Sequence, residues 1–170
     1  METEREEEAI AYYETAIRQS LMKRQLQGNS LDVPVEDDIN VEFTYNQIGL
    51  AMRHVGRHKE AVLAFQSGLA YAPDTIEILT NLGDLYHELG RLEEARAILL
   101  RGIDIIRGVD TISKCAIEVT GGTGGTGGTG GTVGDKVSLN SLYPAVLNNL
   151  GLVELDLGEA HAALQHFNEA

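Results

Sequence analysis

A period of 34 residues limits how this sequence can fold more than any other feature. Segments 42–75 and 76–109 align without a gap. Their matching positions hold either small residues or large apolar ones: Ile48 and Leu82, Gly49 and Gly83, Gly56 and Gly90, Ala61 and Ala95, Phe65 and Leu99, Gly68 and Gly102. A repeat of this length indicates units that stack on one another, because one unit alone cannot bury its apolar face.

The same spacing returns in the last part of the chain, over residues 144–170. The matching positions there are Leu147, Leu150, Gly151, Gly158, Ala163 and Phe167. Two positions depart from the repeat pattern. In the third repeat, Glu154 stands where the second repeat has Tyr86, and in the second repeat, Arg107 stands where the first has Pro73. The sequence therefore predicts a third, truncated repeat over 144–170.

Each repeat has the pattern of two helices joined by a tight turn. In the first repeat, Tyr45, Ile48 and Met52 are three and four residues apart, so they lie on one helix face. Gly56 supplies the left-handed conformation that ends this helix, and Pro73 stops the second helix. These positions resemble the tetratricopeptide repeat signature. The resemblance implies an all-α fold, an α-solenoid of helix–turn–helix repeats.

The repeats divide the chain into five parts. Residues 1–41 are predicted to form a long helix and an acidic loop that pack on the stack. The first and second repeats occupy 42–75 and 76–109, a flexible insertion rich in glycine and threonine occupies 110–143, and the third repeat occupies 144–170. The insertion has the length of one repeat, which indicates either a decayed repeat or a coincidence.

The insertion contains the triplet Gly-Gly-Thr four times over, at residues 121–132. Eight glycines, at about 1 kcal/mol each relative to alanine, exclude a helix in this segment. Gly122 to Gly127 satisfies the letters of the dinucleotide-binding fingerprint, but no helix opens directly after it, as that site requires. The tract is therefore interpreted as a linker, and no cofactor is expected.

Charge and composition limit the partners. The net charge of -13 disfavours nucleic acid and membrane surfaces, which would be repelled. It either favours a basic protein or peptide partner or serves only to keep the chain soluble. Cys115 is the single cysteine, so no internal disulfide can form, and the acidic N-terminal run is the opposite of a signal sequence. A cytoplasmic location, or a nuclear one, is expected.

The sequence offers no convincing site for a metal ion or for catalysis. His54 and His58 are four residues apart, but Gly56 lies between them at the predicted turn, so they should not share a helix face. Acid–base chemistry would need a closed pocket around the carboxylates of Asp84, Glu88, Glu154 and Asp156, whereas repeat stacks offer an open groove. We expect no metal, no catalytic residue and no enzyme activity in this segment.

The resemblance implies that the first helices line a concave groove in which ligands lie. Carried onto this sequence, the predicted groove residues are Asn46, Gln47, Arg53, Asn81, Asp84, His87, Asn148 and Asn149. Gln47, Asn81 and Asn149 stand at one repeat position, and this row resembles the asparagine ladder in the repeat domain of O-linked N-acetylglucosamine transferases. An amide offers both a donor and an acceptor to a peptide backbone. The alternative is that asparagine is only a common residue before the Leu-Gly pair.

The predicted function is that of a protein–protein interaction module that binds an extended segment in this groove. The clamp that holds chaperone tails in another subclass is absent, because Leu50 and Ala145 occupy two of its places. One alternative is the truncated targeting region of a larger enzyme, such as a glycosyltransferase with these repeats. The other is a structural module that self-associates through its C-terminal helix.

Overall fold

The computed structural model describes residues 2–26, 40–119 and 133–170, and every regular element in these ranges is an α-helix. The helices are α1 Glu2–Leu26, α2 Val41–His54, α3 His58–Tyr71, α4 Ile76–Glu88, α5 Leu92–Val119, α6 Val133–Asp156 and α7 Ala160–Glu169. The prediction of an all-α helical-repeat fold is confirmed. No helix in the described ranges has the length and apolar character to cross a membrane.

The chain forms two compact units, Met1–Asn81 and Leu82–Ala170. In the first unit α1 packs against α2, and α2 packs against α3. In the second unit α6 packs against both α5 and α7. Each unit has an apolar core, which includes Ile17, Ile48, Met52, Phe65 and Ile78 in the first and Leu82, Leu99, Ile103, Leu147 and Leu150 in the second. Burial of these side chains is the main force that holds the helices together.

One glycine in each repeat marks the closest approach of its two helices. A Cβ atom added to Gly49 would lie 2.5 Å from the Phe65 ring, and one added to Gly151 would lie 2.5 Å from the Phe167 ring. The equivalent distance from Gly83 to Leu99 is 2.6 Å. This contact explains why a residue that costs a helix about 1 kcal/mol recurs there.

The turn of each repeat is closed in the same way. The φ angles are 81° at Gly56, 70° at Gly90 and 84° at Gly158, a left-handed backbone conformation that residues other than glycine rarely adopt. The next residue then bonds back to the first helix, as Arg57 N–H does to the carbonyl of Met52 at 2.8 Å. The predicted role of this glycine is confirmed.

The helices extend further into the predicted insertion, 110–143, than the repeat period suggested. Helix α5 continues to Val119, and α6 begins at Val133 with Pro144 inside it. The chain between the second repeat and the triplets contains neither glycine nor proline, so nothing there stops the helix. The Gly-Gly-Thr triplets at 121–132 and most of the predicted acidic loop lie outside the described residues.

Candidate functional site

Two of the predicted groove residues meet in the first unit. Nδ2 of Asn81 in α4 donates a hydrogen bond to Oδ1 of Asn46 in α2 at 2.9 Å. Asn81 is partly exposed, whereas only 5% of Asn46 is exposed. The sequence placed Asn46 on the open stripe, and this is corrected: Asn46 is buried because α4 lies against it, and it keeps its polarity by bonding to the next first helix.

A small cavity of about 150 Å³ lies beside this amide pair, at the start of α2 and α4. Its lining residues are Asn40, Glu42, Phe43, Asn46, Thr75, Glu77 and Ile78. Asn40 caps α2, since its Oδ1 accepts a hydrogen bond from the N–H of Phe43 at 2.7 Å. Phe43, which lines the cavity, is 53% exposed.

Sequence reasoning missed the two carboxylates of this cavity, Glu42 and Glu77. Both lie in the first turn of a first helix, where a carboxylate is stabilised by the helix dipole. That shared place in the first turn was the available signal. Gln47 and Arg53, also predicted from the sequence, are partly exposed on α2.

The second unit holds the remaining predicted groove residues. Nε2 of His87 in α4 lies 2.6 Å from Oδ2 of Asp156 in α6. Asn148 is exposed, and Asp84 and Asn149 are partly exposed. The sequence identified His87 for the groove but did not identify Asp156 as its partner.

A buried polar pair fixes α7 against α6. Glu154 is 2% exposed, and its Oε2 lies 2.7 Å from Nδ1 of His166. The equivalent places in the first repeat hold Met52 and Ala64, both buried. A buried carboxylate with one specific partner is a structural feature of this repeat and does not require a ligand.

A second polar cluster lies at the end of α7. Arg107 of α5 donates hydrogen bonds to the Glu169 carboxylate at 2.8 and 3.0 Å, and the Tyr143 hydroxyl donates to the same group. The bond from Tyr143, followed by that from Arg107, lowers the pKa of Glu169 below its usual value. Arg107 occupies the repeat position of Pro73, so a charged contact stands where the first repeat has a helix stop.

A larger cavity, of about 460 Å³, lies in the first unit among α1, α2 and α3. Its apolar lining includes Ile17, Ile48 and Met52, all of which belong to the core. We interpret it as incomplete packing beneath α1, since it contains none of the predicted groove residues. Within the described ranges, no group of three His, Cys, Asp or Glu side chains could hold a metal ion.

Comparison with known proteins agrees with the repeat geometry. Residues 53–108 match the family described as tetratricopeptide repeat. The match covers less than half of the chain, and this part is similar to tetratricopeptide repeats. Tetratricopeptide repeat protein 8 of Caenorhabditis elegans is 37% identical over 62 residues, which cover 36% of this chain and only 12% of that protein. Repeats of this family support a role as a protein-interaction module in general terms.

Solved structures of MamA are distant neighbours. One, titled as a crystal structure of MamA, has 15% identity and a TM-score of 0.35, and the match covers 92% of this chain and 85% of that one. MamA 41-end from Desulfovibrio magneticus RS-1 has 15% identity and a TM-score of 0.38, with 95% and 92% covered. This likeness is too distant to inform on function.

Proposed function

We propose that the first-helix face of these tetratricopeptide repeats binds an extended protein segment through side-chain amides. The observation that carries the proposal is the hydrogen bond between Asn46 and Asn81, which fixes two amides of successive first helices beside an open cavity. A fixed amide loses little conformational entropy when a ligand binds, so it is a better anchor than a mobile one.

The chemistry of the amide suits a peptide backbone. Each amide has two N–H donors and an oxygen with two acceptor sites, and the bond between Asn46 and Asn81 uses one of each. The partly exposed Asn81 therefore keeps bonding capacity for a peptide N–H or C=O group. Gln47 and, in the second unit, Asn149 stand at the same repeat position and have the same chemistry.

The remaining predicted residues are proposed as side-chain contacts within each unit. In the first unit this contact is Arg53, and in the second unit the contacts are Asp84, His87 and Asn148. In this proposal the chain itself is a binding module for a protein or peptide partner and has no catalytic residues of its own. We assign it to the cytoplasm or nucleus. A chain with a single cysteine cannot form an internal disulfide, and proteins of these reducing compartments do not need one.

The test uses a displayed library of random octapeptides selected on the wild-type chain, followed by fluorescence anisotropy with the peptides recovered. The double variant Gln47→Ala/Asn149→Ala changes two partly exposed amides. Each lost hydrogen bond should cost about 1 kcal/mol, which is roughly fivefold in affinity.

The matched control is Gln66→Ala/Asn168→Ala, which removes two exposed amides from the second helices α3 and α7. The control should bind like wild type. Equal affinity of all three proteins would mean that the amide row has no part in binding.

A second candidate function, self-association with another copy of the chain, is favoured by the apolar surface of the third repeat. Leu164 is 57% exposed, Leu155 is 51% exposed and Phe167 is 37% exposed. Sedimentation velocity at several concentrations tests it. Leu164→Glu should abolish association, whereas Leu63→Glu, at a 62% exposed position of α3, should not. A wild-type monomer at every concentration would reject the idea.

A further inference from the structure

We infer that the cavity at the start of α2 and α4 receives a basic side chain, arginine or lysine, from the bound segment. This inference rests on the proposed function, because the cavity borders the Asn46–Asn81 amide pair. At about 150 Å³ the cavity has room for a single side chain and is too small for a helix or a drug-sized molecule.

The charged groups of the cavity are all negative. Glu42 and Glu77 line it, and none of its lining residues is lysine, arginine or histidine. Neither carboxylate forms an ion pair in the part of the chain that the structure describes. A cationic side chain would supply the missing partner, and the resulting charge-assisted hydrogen bonds are about twice as strong as neutral ones.

Two of the neutral polar groups of the cavity also offer acceptors to a ligand. The Thr75 hydroxyl has one hydrogen, which it donates to the carbonyl of Ala72 at 3.0 Å, so towards a ligand it can only accept. Oδ1 of Asn46 has two acceptor sites, and Asn81 fills one of them. Ammonium and guanidinium groups are donors only, so they match these acceptors.

Asn46 adds hydrogen-bonding capacity at the cavity that it lines. It is a polar residue with only 5% of its surface exposed, yet among the described residues its amide makes one hydrogen bond, through Oδ1. Its Nδ2 group is not fully enclosed, so it can still donate to a ligand at the cavity. A backbone carbonyl of the segment that brings the basic side chain would accept that hydrogen bond.

The exposed Phe43 ring completes the site. A cation within about 6 Å of an aromatic ring face is attracted by the ring quadrupole. The aliphatic stem of lysine or arginine can lie along the same ring, since these side chains keep their stems on apolar surface and their charge in polar surroundings. The combination of an exposed ring and two acidic groups thus favours a basic residue over a purely apolar one.

The experiment repeats the octapeptide selection with the full chain and with Glu42→Gln/Glu77→Gln. On wild type we expect the recovered peptides to carry arginine or lysine at one fixed position. On the variant this enrichment should disappear, and the affinity for the wild-type peptides should fall about tenfold, with a weaker dependence on salt. Peptides with citrulline or norleucine at that position separate the roles of charge and stem.

The matched control, Glu8→Gln/Glu93→Gln, removes the same charge from two exposed positions outside the cavity. It should retain both the enrichment and the affinity. Peptides that bind without a basic preference, or an equal loss in the control, would overturn the inference and leave the amide surface standing. If no peptide binds wild type, both proposals fail.

Discussion

The first and third repeats share one design but complete it differently. In both, a Cβ atom added to the glycine at the helix crossing would lie 2.5 Å from a phenylalanine ring, and both have an alanine with at most 1% exposure on the second helix. Yet Phe65 is fully buried, whereas Phe167 is 37% exposed. Identical local packing can therefore lead to very different burial, and the difference depends on whether a further helix covers the repeat.

The first repeat is followed by a helix that covers it. Ile78 of α4 approaches Gly68 of α3 so closely that an added Cβ would lie 2.8 Å from its Cδ1. In the described part of the chain no element follows α7. Phe65 is thus enclosed on all sides, whereas Phe167 has one open side.

The interior of the two repeats also differs in chemistry. Met52 and Ala64 are buried apolar residues of the first repeat, and Glu154 and His166 occupy the equivalent places in the third. The same repeat fold can bury either an apolar pair or a polar pair at these places, provided that the buried carboxylate has its partner. This contrast gives the largest predicted effect.

His166→Ala should destabilise the second unit by about 3 kcal/mol at pH 7, because Glu154 is left buried without its partner. The double variant Glu154→Met/His166→Ala reproduces the residues of the first repeat and should regain most of that loss. Urea unfolding of the wild type, both single variants and the double variant measures the coupling. Additive losses would show that the two side chains do not act as a pair.

The second largest loss of stability is expected from substitution of the glycines at which the two helices of a repeat cross. Gly49→Leu should destabilise by roughly 2 kcal/mol or more, because the added side chain would meet the enclosed Phe65 ring. Gly151→Leu presents the same clash to Phe167, whose ring can move towards solvent, so the loss should be about half as large. Thermal unfolding of both variants compares them. Equal losses would indicate that exposure of the ring gives no relief.

Substitutions of the repeated amides should also differ in their effect on stability, depending on whether the amide bonds to a buried residue. Asn81→Ala should cost about 1 kcal/mol of stability, since it removes the hydrogen-bond partner of the buried Asn46. Asn149→Ala should stay within about 0.5 kcal/mol, as is usual for surface positions. Urea unfolding of the two variants, with Asn168→Ala as an exposed control, makes the comparison. A neutral Asn81→Ala would mean that the amide bond contributes nothing to the fold.

The sequence predicted the repeats well because their packing is local. A glycine opposite a large residue and a glycine at the turn act within one helix pair, so a 34-residue period is enough to reveal them. Burial of Asn46 and the contact between His87 and Asp156 depend on residues 35 and 69 positions apart. Such distances are set by how successive repeats pack, and no local pattern encodes them.

The smallest expected effect concerns pH and depends on Glu169 of the third repeat. Glu169 there accepts bonds from Tyr143 and Arg107, whereas Ser67, its equivalent in the first repeat, bonds only within its own helix, to the Leu63 carbonyl. The pKa of Glu169 is lowered from its usual 4.5 when the chain folds. Its contribution to stability is therefore present at neutral pH and is lost as the pH falls below about 4.5, through the folded pKa.

Tyr143→Phe tests this contribution, because the Tyr143 hydrogen bond is the largest cause of the lowered pKa. In an NMR titration of the Glu169 side-chain carboxyl, the midpoint should rise in Tyr143→Phe and stay unchanged in the control Tyr71→Phe. The acid sensitivity of the second unit should decrease in parallel, since a carboxyl with the same pKa in the folded and unfolded chain adds no pH dependence. An unchanged midpoint in Tyr143→Phe would assign the lowered pKa to Arg107 alone and leave the hydroxyl without a role in holding α7.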